Sequence, residues 1–167
     1  MSRFAYPLRP YLPADSDVLR EIFAAAIEEL CADDYTEEQR IAWATAAEDG
    51  AAFSARLAAA TTIVIEVDGD HLGFAALKDD RVVDLLYVHP HYAGEGIGTA
   101  LMDAVETIAR ARGAKVLEAD VSDTAVSFFE KRGYVSKQRN LIEREGEWLA
   151  NTFMTKVLVP AAAGGPS

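Results

Sequence analysis

The sequence is poor in cysteine and histidine. It contains one cysteine, Cys31, and three histidines among 167 residues. A single thiol excludes an internal disulfide and any zinc site built on several cysteines. His89 and His91 form a His-x-His pair, but the sequence places no further ligand beside them, so no metal site is expected. We interpret Cys31 as a small buried residue at the end of a helix rather than as a nucleophile.

Basic residues and long apolar runs are also scarce. Sixteen Lys and Arg stand against 27 Asp and Glu, which gives a formal net charge of −11. Nucleic acid and anionic lipid are therefore not expected as partners, because binding phosphate requires clustered basic residues. A cationic ligand such as an amine would be attracted instead. No apolar run reaches 18 residues, so we expect a cytoplasmic protein that does not enter a membrane.

Half of the residues are apolar, which is enough to bury a core. The length predicts one domain, which we place at residues 1–159, followed by a disordered tail over 160–167 that is rich in alanine, glycine and proline. A first strand is predicted over 4–8, and Asp15 or Ser16 is expected to cap the helix that follows.

A capping box at 36–39 predicts a second helix, and the alanine-rich stretch 51–60 a third. The spacing of the apolar residues then changes from that of helices to that of strands. An antiparallel meander precedes a glycine-rich turn, and helices alternate with strands after it. The pattern predicts a mixed sheet with helices packed against it. Its later strands are predicted at 61–67, 72–77, 81–88, 115–121, 134–140 and 147–157, and its later helices at 97–112 and 124–131.

The most informative stretch is the turn Gly94-Glu-Gly-Ile-Gly98 between a strand and a helix. Backbone N–H groups at the start of a helix lack helical partners, and together with the helix dipole they bind phosphate oxygens. A dinucleotide fold would require glycine where Thr99 stands, and a P-loop would require lysine. A glycine-rich turn that binds nothing is the alternative at this point.

Two segments together resemble the GNAT superfamily of N-acetyltransferases, and the resemblance covers nearly the whole chain. They read V-x-P-x-Y-x-G-x-G-I-G-x-x-L from Val88 and A-x-x-F-F-E-x-x-G-Y from Ala125. The resemblance implies an α/β (α+β) fold with a mixed, mostly antiparallel sheet of six to seven strands flanked by helices. It also implies acetyl-CoA as cofactor and a possible homodimer. The C-terminal half looks like a bacterial subgroup without an agreed substrate.

The resemblance also implies which residues hold the cofactor. The loop amides would bind the pyrophosphate, the strand before the loop would offer backbone groups to the pantetheine arm and thioester, and two residues further along would lie beside the arm and the thiol. These positions are Gly94, Glu95, Gly96, Ile97, Gly98 and Thr99 in the loop, Leu86, Tyr87 and Val88 in the strand, and Ser122 and Phe129 beyond them.

Four positions depart from the family pattern. Ser122 stands where relatives often carry the Asn that holds the cofactor. Ala93 stands where relatives carry Arg or Gln, and Glu95 where a basic residue is frequent. We therefore expect weaker cofactor binding than in those relatives. Phe129 stands where many relatives have the tyrosine that protonates the leaving thiolate. Phenylalanine has no proton to donate, so the general acid is left open.

Acetyl transfer to an amine requires removal of the ammonium proton. Asp84 lies in an apolar strand, where a carboxylate is costly unless it is paired or functional. It is the first candidate for the base, and a surface-facing aspartate is the alternative. Asp120 is the second candidate, with a helix-capping role as its alternative. Tyr35 and Trp43 fall in the region that covers the acceptor in relatives, so they are candidate substrate contacts or core residues.

We interpret the sequence as an acetyl-CoA-dependent N-acetyltransferase that moves an acetyl group to a primary amine by direct attack in a ternary complex. A small-molecule amine is favoured as acceptor. One alternative is a CoA-binding module with little or no catalysis, suggested by Ala93, Glu95 and Phe129 together. Another is an interaction domain that uses only the fold.

Overall fold

The computed structural model describes residues 6–159, and within that range the chain forms seven strands in one sheet and five α-helices. The order across the sheet is β1-β2-β3-β4-β5-β7-β6, and every neighbouring pair is antiparallel except β4–β5. The prediction of a mixed, mostly antiparallel sheet flanked by helices is confirmed. The strands are β1 Leu8–Pro10, β2 Thr61–Val67, β3 Asp70–Lys78, β4 Val82–Val88, β5 Val116–Ser122, β6 Val135–Arg144 and β7 Glu147–Val157. The helices are α1 Ser16–Leu30, α2 Glu37–Ala44, α3 Gly50–Ala59, α4 Ile97–Ala111 and α5 Val126–Lys131.

Helices cover both faces of the sheet, and each face has its own core. On one face, Leu101, Met102 and Val105 form the apolar side of α4 and are buried in a cluster with sheet residues. On the other face, Phe23 of α1 packs against Phe53 of α3 with ring centroids 5.6 Å apart. None of the helices in residues 6–159 is both long enough and apolar enough to span a bilayer.

The start of α2 follows the predicted capping box. Thr36 Oγ1 accepts a hydrogen bond from the Gln39 amide at 3.1 Å, and the Gln39 side chain accepts one from the Thr36 amide at 2.9 Å. Asp15 is the N-cap residue of α1, one of the two positions predicted, but its side chain makes no capping hydrogen bond to the helix. Asp15 instead binds both terminal nitrogens of Arg9 at 2.8 Å. Charge-assisted paired hydrogen bonds are stronger than a single bond to a helix amide.

The first strand begins later than predicted. Residues 4 and 5 of the predicted strand lie outside the described residues, as does the predicted tail, and the strand observed is Leu8–Pro10. Pro10 is tolerated because β1 is an edge strand that pairs only with β2, so the missing N–H costs no ladder hydrogen bond.

The feature that positions the site is a split between β4 and β5. These strands pair only through Val82 with Glu118 and Val83 with Ala119. Beyond that point β4 continues along β3, and β5 continues along β7. The two strands therefore diverge, and their C-terminal ends leave a gap in the middle of the sheet.

Candidate functional site

Two cavities meet at the split. The larger, of about 570 Å³, is lined by the end of β4, the 94–99 loop, the start of α4 and α5. The smaller, of about 260 Å³, is lined by the same stretch of β4, by α2 and α3, and by the β6–β7 hairpin. Six residues line both cavities: Trp43, Val83, Asp84, Tyr87, Asp120 and Ser122. The split thus connects two binding volumes through one set of side chains.

The 94–99 loop presents a run of free backbone amides to the larger cavity. Gly94 and Gly96 have φ angles of 79° and 84°, in the left-handed region that favours glycine. Ala100 donates to the Gly96 carbonyl at 3.0 Å, and within residues 6–159 no amide from 94 to 99 donates to a backbone carbonyl. A Cβ at Gly96 would meet no atom within 4 Å, so the space above it is open.

Two contacts that sequence reasoning missed hold this loop in place. A Cβ at Gly73 would lie 2.9 Å from both Ile97 Cγ2 and the Tyr87 carbonyl, so glycine lets the first turn of α4 pack directly on β3. The Tyr6 hydroxyl donates to the Glu95 carbonyl at 2.6 Å. Tyr6 lies 89 residues away in sequence, and no local pattern indicates that it reaches the loop.

The edge of β4 that faces the split is free to pair. The His89 amide donates to Leu72 of the β3 side at 2.9 Å. Because alternate amides of a strand point to opposite neighbours, the amides of Val88 and Leu86 are directed toward the split. Their side chains pack on the α4 face of the sheet. The backbone groups of Leu86 and Val88 thus face the split, whereas the Tyr87 carbonyl faces Gly73 of β3.

The two candidate carboxylates both lie at the junction of the cavities but differ in their partners. Asp84 is half-buried, and both its oxygens accept hydrogen bonds from Arg56 of α3, at 2.8 and 3.1 Å. This hydrogen bonding raises the pKa of Arg56. Asp120 is exposed, and within residues 6–159 its carboxylate has no side-chain hydrogen bond or ion pair. The structure thus leaves Asp120 available to a ligand.

Tyr35 and Trp43 form part of the wall of the smaller cavity. Their rings meet edge to face with centroids 5.3 Å apart. The buried Tyr35 hydroxyl donates to the Ala150 carbonyl at 2.6 Å and accepts from the Asp123 amide at 2.9 Å. Burial raises the pKa of Tyr35 to about 12. The Tyr35 hydroxyl therefore ties strand β7 to the turn between β5 and α5. Trp43 is the member of the pair that reaches both cavities.

Phe129 lies on the wall of the larger cavity, buried and edge to face with Phe128 and Tyr134. The Tyr134 hydroxyl is buried and donates to Glu106 at 2.9 Å. Burial acts to raise the pKa of Glu106, but hydrogen bonds from Arg132, Lys156 and Tyr134 outweigh it and hold that pKa below its usual value. The Tyr134 phenol is committed to this cluster.

No group of three or more potential metal ligands occurs within residues 6–159. Ser122 lines both cavities and lies in β5 opposite Asn151 of β7. The arrangement is a cradle of amides for an anion, a free strand edge, and two carboxylates at the point where a second cavity opens. It suits a reaction in which two ligands approach each other through the sheet.

Comparison with known proteins identifies proteins that are similar to this chain. The profile of the family described as "Acetyltransferase (GNAT) domain" matches residues 31–158. The uncharacterized N-acetyltransferase YafP of Escherichia coli K12 is 28% identical over 147 residues, which cover 88% of this chain and 93% of YafP. The crystal structure of a GCN5-related N-acetyltransferase from Rhodopseudomonas palustris is 54% identical, with a TM-score of 0.91, covering 95% of this chain and 99% of that one.

A more distant structure shares the fold. The PaiA N-acetyltransferase of Thermoplasma acidophilum, solved in complex with coenzyme A, is 17% identical, with a TM-score of 0.75 over 92% of this chain and 99% of that one. The likeness extends over nearly the full length of both chains.

Proposed function

Because the chain belongs to the GNAT family of N-acetyltransferases, we propose that it transfers an acetyl group from acetyl-CoA to a small primary amine by direct attack in a ternary complex. We also propose that residues 1–159 form a single domain of this family. The observation that carries the proposal is the meeting of two cavities at the β4–β5 split, with Asp84 and Asp120 at their junction.

The larger cavity fits acetyl-CoA. The free amides of residues 94–99 and the start of α4 suit a pyrophosphate, and the open space above Gly96 leaves room for it. The unpaired edge of β4, with the amides of Leu86 and Val88 toward the split, suits an extended pantetheine arm. PaiA, which shares the fold, has been solved with coenzyme A. Acetyl-CoA supplies the acetyl group as a thioester, which is open to attack by an amine.

The chain's own contribution is to position the two ligands and accept a proton. The acceptor amine is mostly protonated at neutral pH and must lose a proton before it can attack. Asp120 is our first candidate for the proton acceptor, in reversal of the order suggested by sequence, because its oxygens have no donor within the described residues. Asp84, held by Arg56, is the positioning partner. The β4 edge amides are our candidates for polarising the thioester carbonyl.

A CoA-binding module with little catalysis is the second candidate. It is favoured by Phe129, which has no proton to donate, and by Tyr134, whose hydroxyl is bound to Glu106. Amine-dependent thiol release by the wild-type protein separates the two candidates, because a binding module releases none. The variant Phe129→Tyr places a phenol on the wall of the larger cavity, and a gain of turnover in this variant would show that protonation of the thiolate limits the reaction.

The direct test is a calorimetric titration with acetyl-CoA, with NADH and ATP as controls, followed by an assay of thiol release with a panel of amines. Saturable binding of acetyl-CoA alone and amine-dependent thiol release are the expected results. Binding without thiol release would favour the module. Absence of binding would overturn both candidates and leave an interaction domain.

A further inference from the structure

The smaller cavity is lined in part by an arginine that has no role in the transfer reaction proposed above. Arg144 lies at the end of β6 and lines this cavity together with Ile142 and Leu149 of the β6–β7 hairpin. Its side chain is exposed, and within residues 6–159 it takes part in no ion pair or side-chain hydrogen bond. Arg139 of the same strand differs, because it forms two hydrogen bonds to Asp123 at 2.7 and 2.9 Å.

Asp120 and Arg144 contribute opposite charges to different parts of the same cavity. In the sheet register Asp120 pairs with Phe153 and Arg144 with Glu147. Phe153 and Glu147 lie six positions apart along β7, which corresponds to about 20 Å of strand. The lengths of the Asp120 and Arg144 side chains take up part of this distance. A ligand that meets both residues must therefore carry its two charged groups several bonds apart.

We propose that the acceptor is a small amine with a carboxylate or similar anionic group several bonds from its nitrogen, such as an amino-acid derivative or a short peptide with a free carboxyl end. This inference rests on the proposed function. The ammonium lies at Asp120, beside the split, and the anionic group lies at Arg144, where the guanidinium favours planar oxyanions. The cavity volume of about 260 Å³ suits a small acceptor.

The local charges modify the expectation drawn from net charge. The total of −11 attracts any amine to the protein. A polyamine in the smaller cavity, however, would bring a second ammonium to Arg144, and this like-charge contact selects against it. The arginine therefore makes the distal group of the acceptor the determinant of specificity.

Three acceptors of one chain length test the inference: 6-aminohexanoate, 6-aminohexanamide and 1,6-diaminohexane. Their distal groups are anionic, neutral and cationic, and their reacting amines are alike. We expect kcat/KM for the anionic acceptor to exceed that for the amide by about tenfold or more, as expected for a charge-assisted hydrogen bond, and the diamine to react most slowly. Triglycine and triglycinamide repeat the comparison on a peptide backbone, which separates the two sources of the anionic group.

Variants of β6 assign the preference to Arg144. Arg144→Gln should lower kcat/KM for 6-aminohexanoate by about 10- to 100-fold and leave the amide and the Kd for acetyl-CoA nearly unchanged, while Arg144→Lys retains part of the preference. Lys137→Gln is the matched control, because Lys137 is an exposed cation of the same strand that lines neither cavity. It should keep the full preference.

The outcomes separate this inference from the function on which it rests. Equal rates with the three acceptors, fastest reaction with the diamine, or a preference that survives Arg144→Gln would overturn the inference and leave the acetyltransferase standing. Absence of thiol release with every amine, despite binding of acetyl-CoA, would overturn the transfer reaction itself.

Discussion

Arg56 and Asp84 form a two-pronged ion pair at the junction of the two cavities, with Nε–Oδ2 and Nη2–Oδ1 distances of 2.8 and 3.1 Å. The pair joins α3 to β4 across the wall of the smaller cavity. It explains how a carboxylate is accommodated in the apolar strand β4, because a paired charge is much less costly to bury than an isolated one. It also leaves Asp120 as the carboxylate of the junction without a partner in the described residues.

Replacement of Asp120 by asparagine should lower kcat by about 100-fold or more, the usual effect of losing a general base. The deficit should shrink as pH rises, because a larger fraction of the amine is then neutral without assistance. The Kd for acetyl-CoA should not change. Steady-state rates across neutral and alkaline pH, with calorimetry at neutral pH, measure both quantities.

Asp84→Asn is the matched comparison. It also removes a carboxylate from the junction, but this carboxylate is bound to Arg56. We therefore expect a smaller loss of kcat, about tenfold, and little change in the pH profile. If Asp84→Asn gave the larger loss and the altered profile, the assignment of the proton acceptor would return to Asp84.

Gly96→Asp should abolish saturable binding of acetyl-CoA. The new carboxylate would enter the open space above the loop amides and place a negative charge where the phosphates bind. Gly113→Asp is the control for backbone strain, because Gly113 has a φ angle of 90° and a Cβ at this position would also meet no atom within 4 Å. Calorimetry should show that Gly113→Asp binds acetyl-CoA as the wild-type protein does. Normal binding by Gly96→Asp would disprove the assignment of the loop.

Tyr6→Phe should raise the Kd for acetyl-CoA several-fold. The variant removes the hydroxyl that fixes the Glu95 carbonyl at 2.6 Å, and a net hydrogen bond contributes about 1 kcal/mol, or roughly fivefold in an equilibrium constant. Tyr11→Phe is the control, since its hydroxyl lies 3.1 Å from Ser54 Oγ, away from the loop. Equal Kd values for the two variants would show that Tyr6 does not support the phosphate cradle.

The parts of the fold set by local patterns were predictable from the sequence. The strands 61–67 and 147–157 were predicted at the observed bounds, because β-branched runs between turn signals leave few alternatives. The capping box at Thr36 is likewise contained in four consecutive residues. The glycine-rich turn between β4 and α4 was also predictable, because its glycines stand together directly before a helical pattern.

Contacts between distant residues could not be predicted in this way. The Tyr6 contact with Glu95 and the Tyr134 contact with Glu106 join residues 89 and 28 positions apart. Each depends on how helices and strands pack, which no local pattern encodes. Arg144 was missed as a cavity residue for the same reason, since only the fold brings the end of β6 beside the split.

The ion cluster around Asp15 should make stability depend on acid pH. Asp15 is buried and accepts hydrogen bonds from Arg9 at 2.8 Å, and it lies 2.9 Å from His71 Nε2, while Glu66 also binds Arg9. The Arg9 guanidinium beside Asp15 holds the pKa of that carboxyl well below its ordinary value of 3.8. The unfolded chain therefore binds a proton at a higher pH than the folded protein does. The stabilisation is present above pH 3.8 and is lost as pH falls toward the folded-state pKa.

Asp15→Asn should lower the free energy of unfolding at neutral pH by about 3 kcal/mol, as expected when one partner of a buried ion pair is removed. The difference from the wild-type protein should narrow below about pH 4, because the wild-type protein progressively loses the same interaction. Asp17→Asn, at an exposed position in the first turn of α1, should change stability by less than about 0.5 kcal/mol. Urea unfolding measures the free energy of unfolding of the wild-type protein and both variants. The measurements are made at neutral pH and at two acid pH values, one on each side of the ordinary carboxyl pKa. A difference that stayed constant across this range would show that the Asp15 carboxyl has the same pKa in the folded and unfolded states.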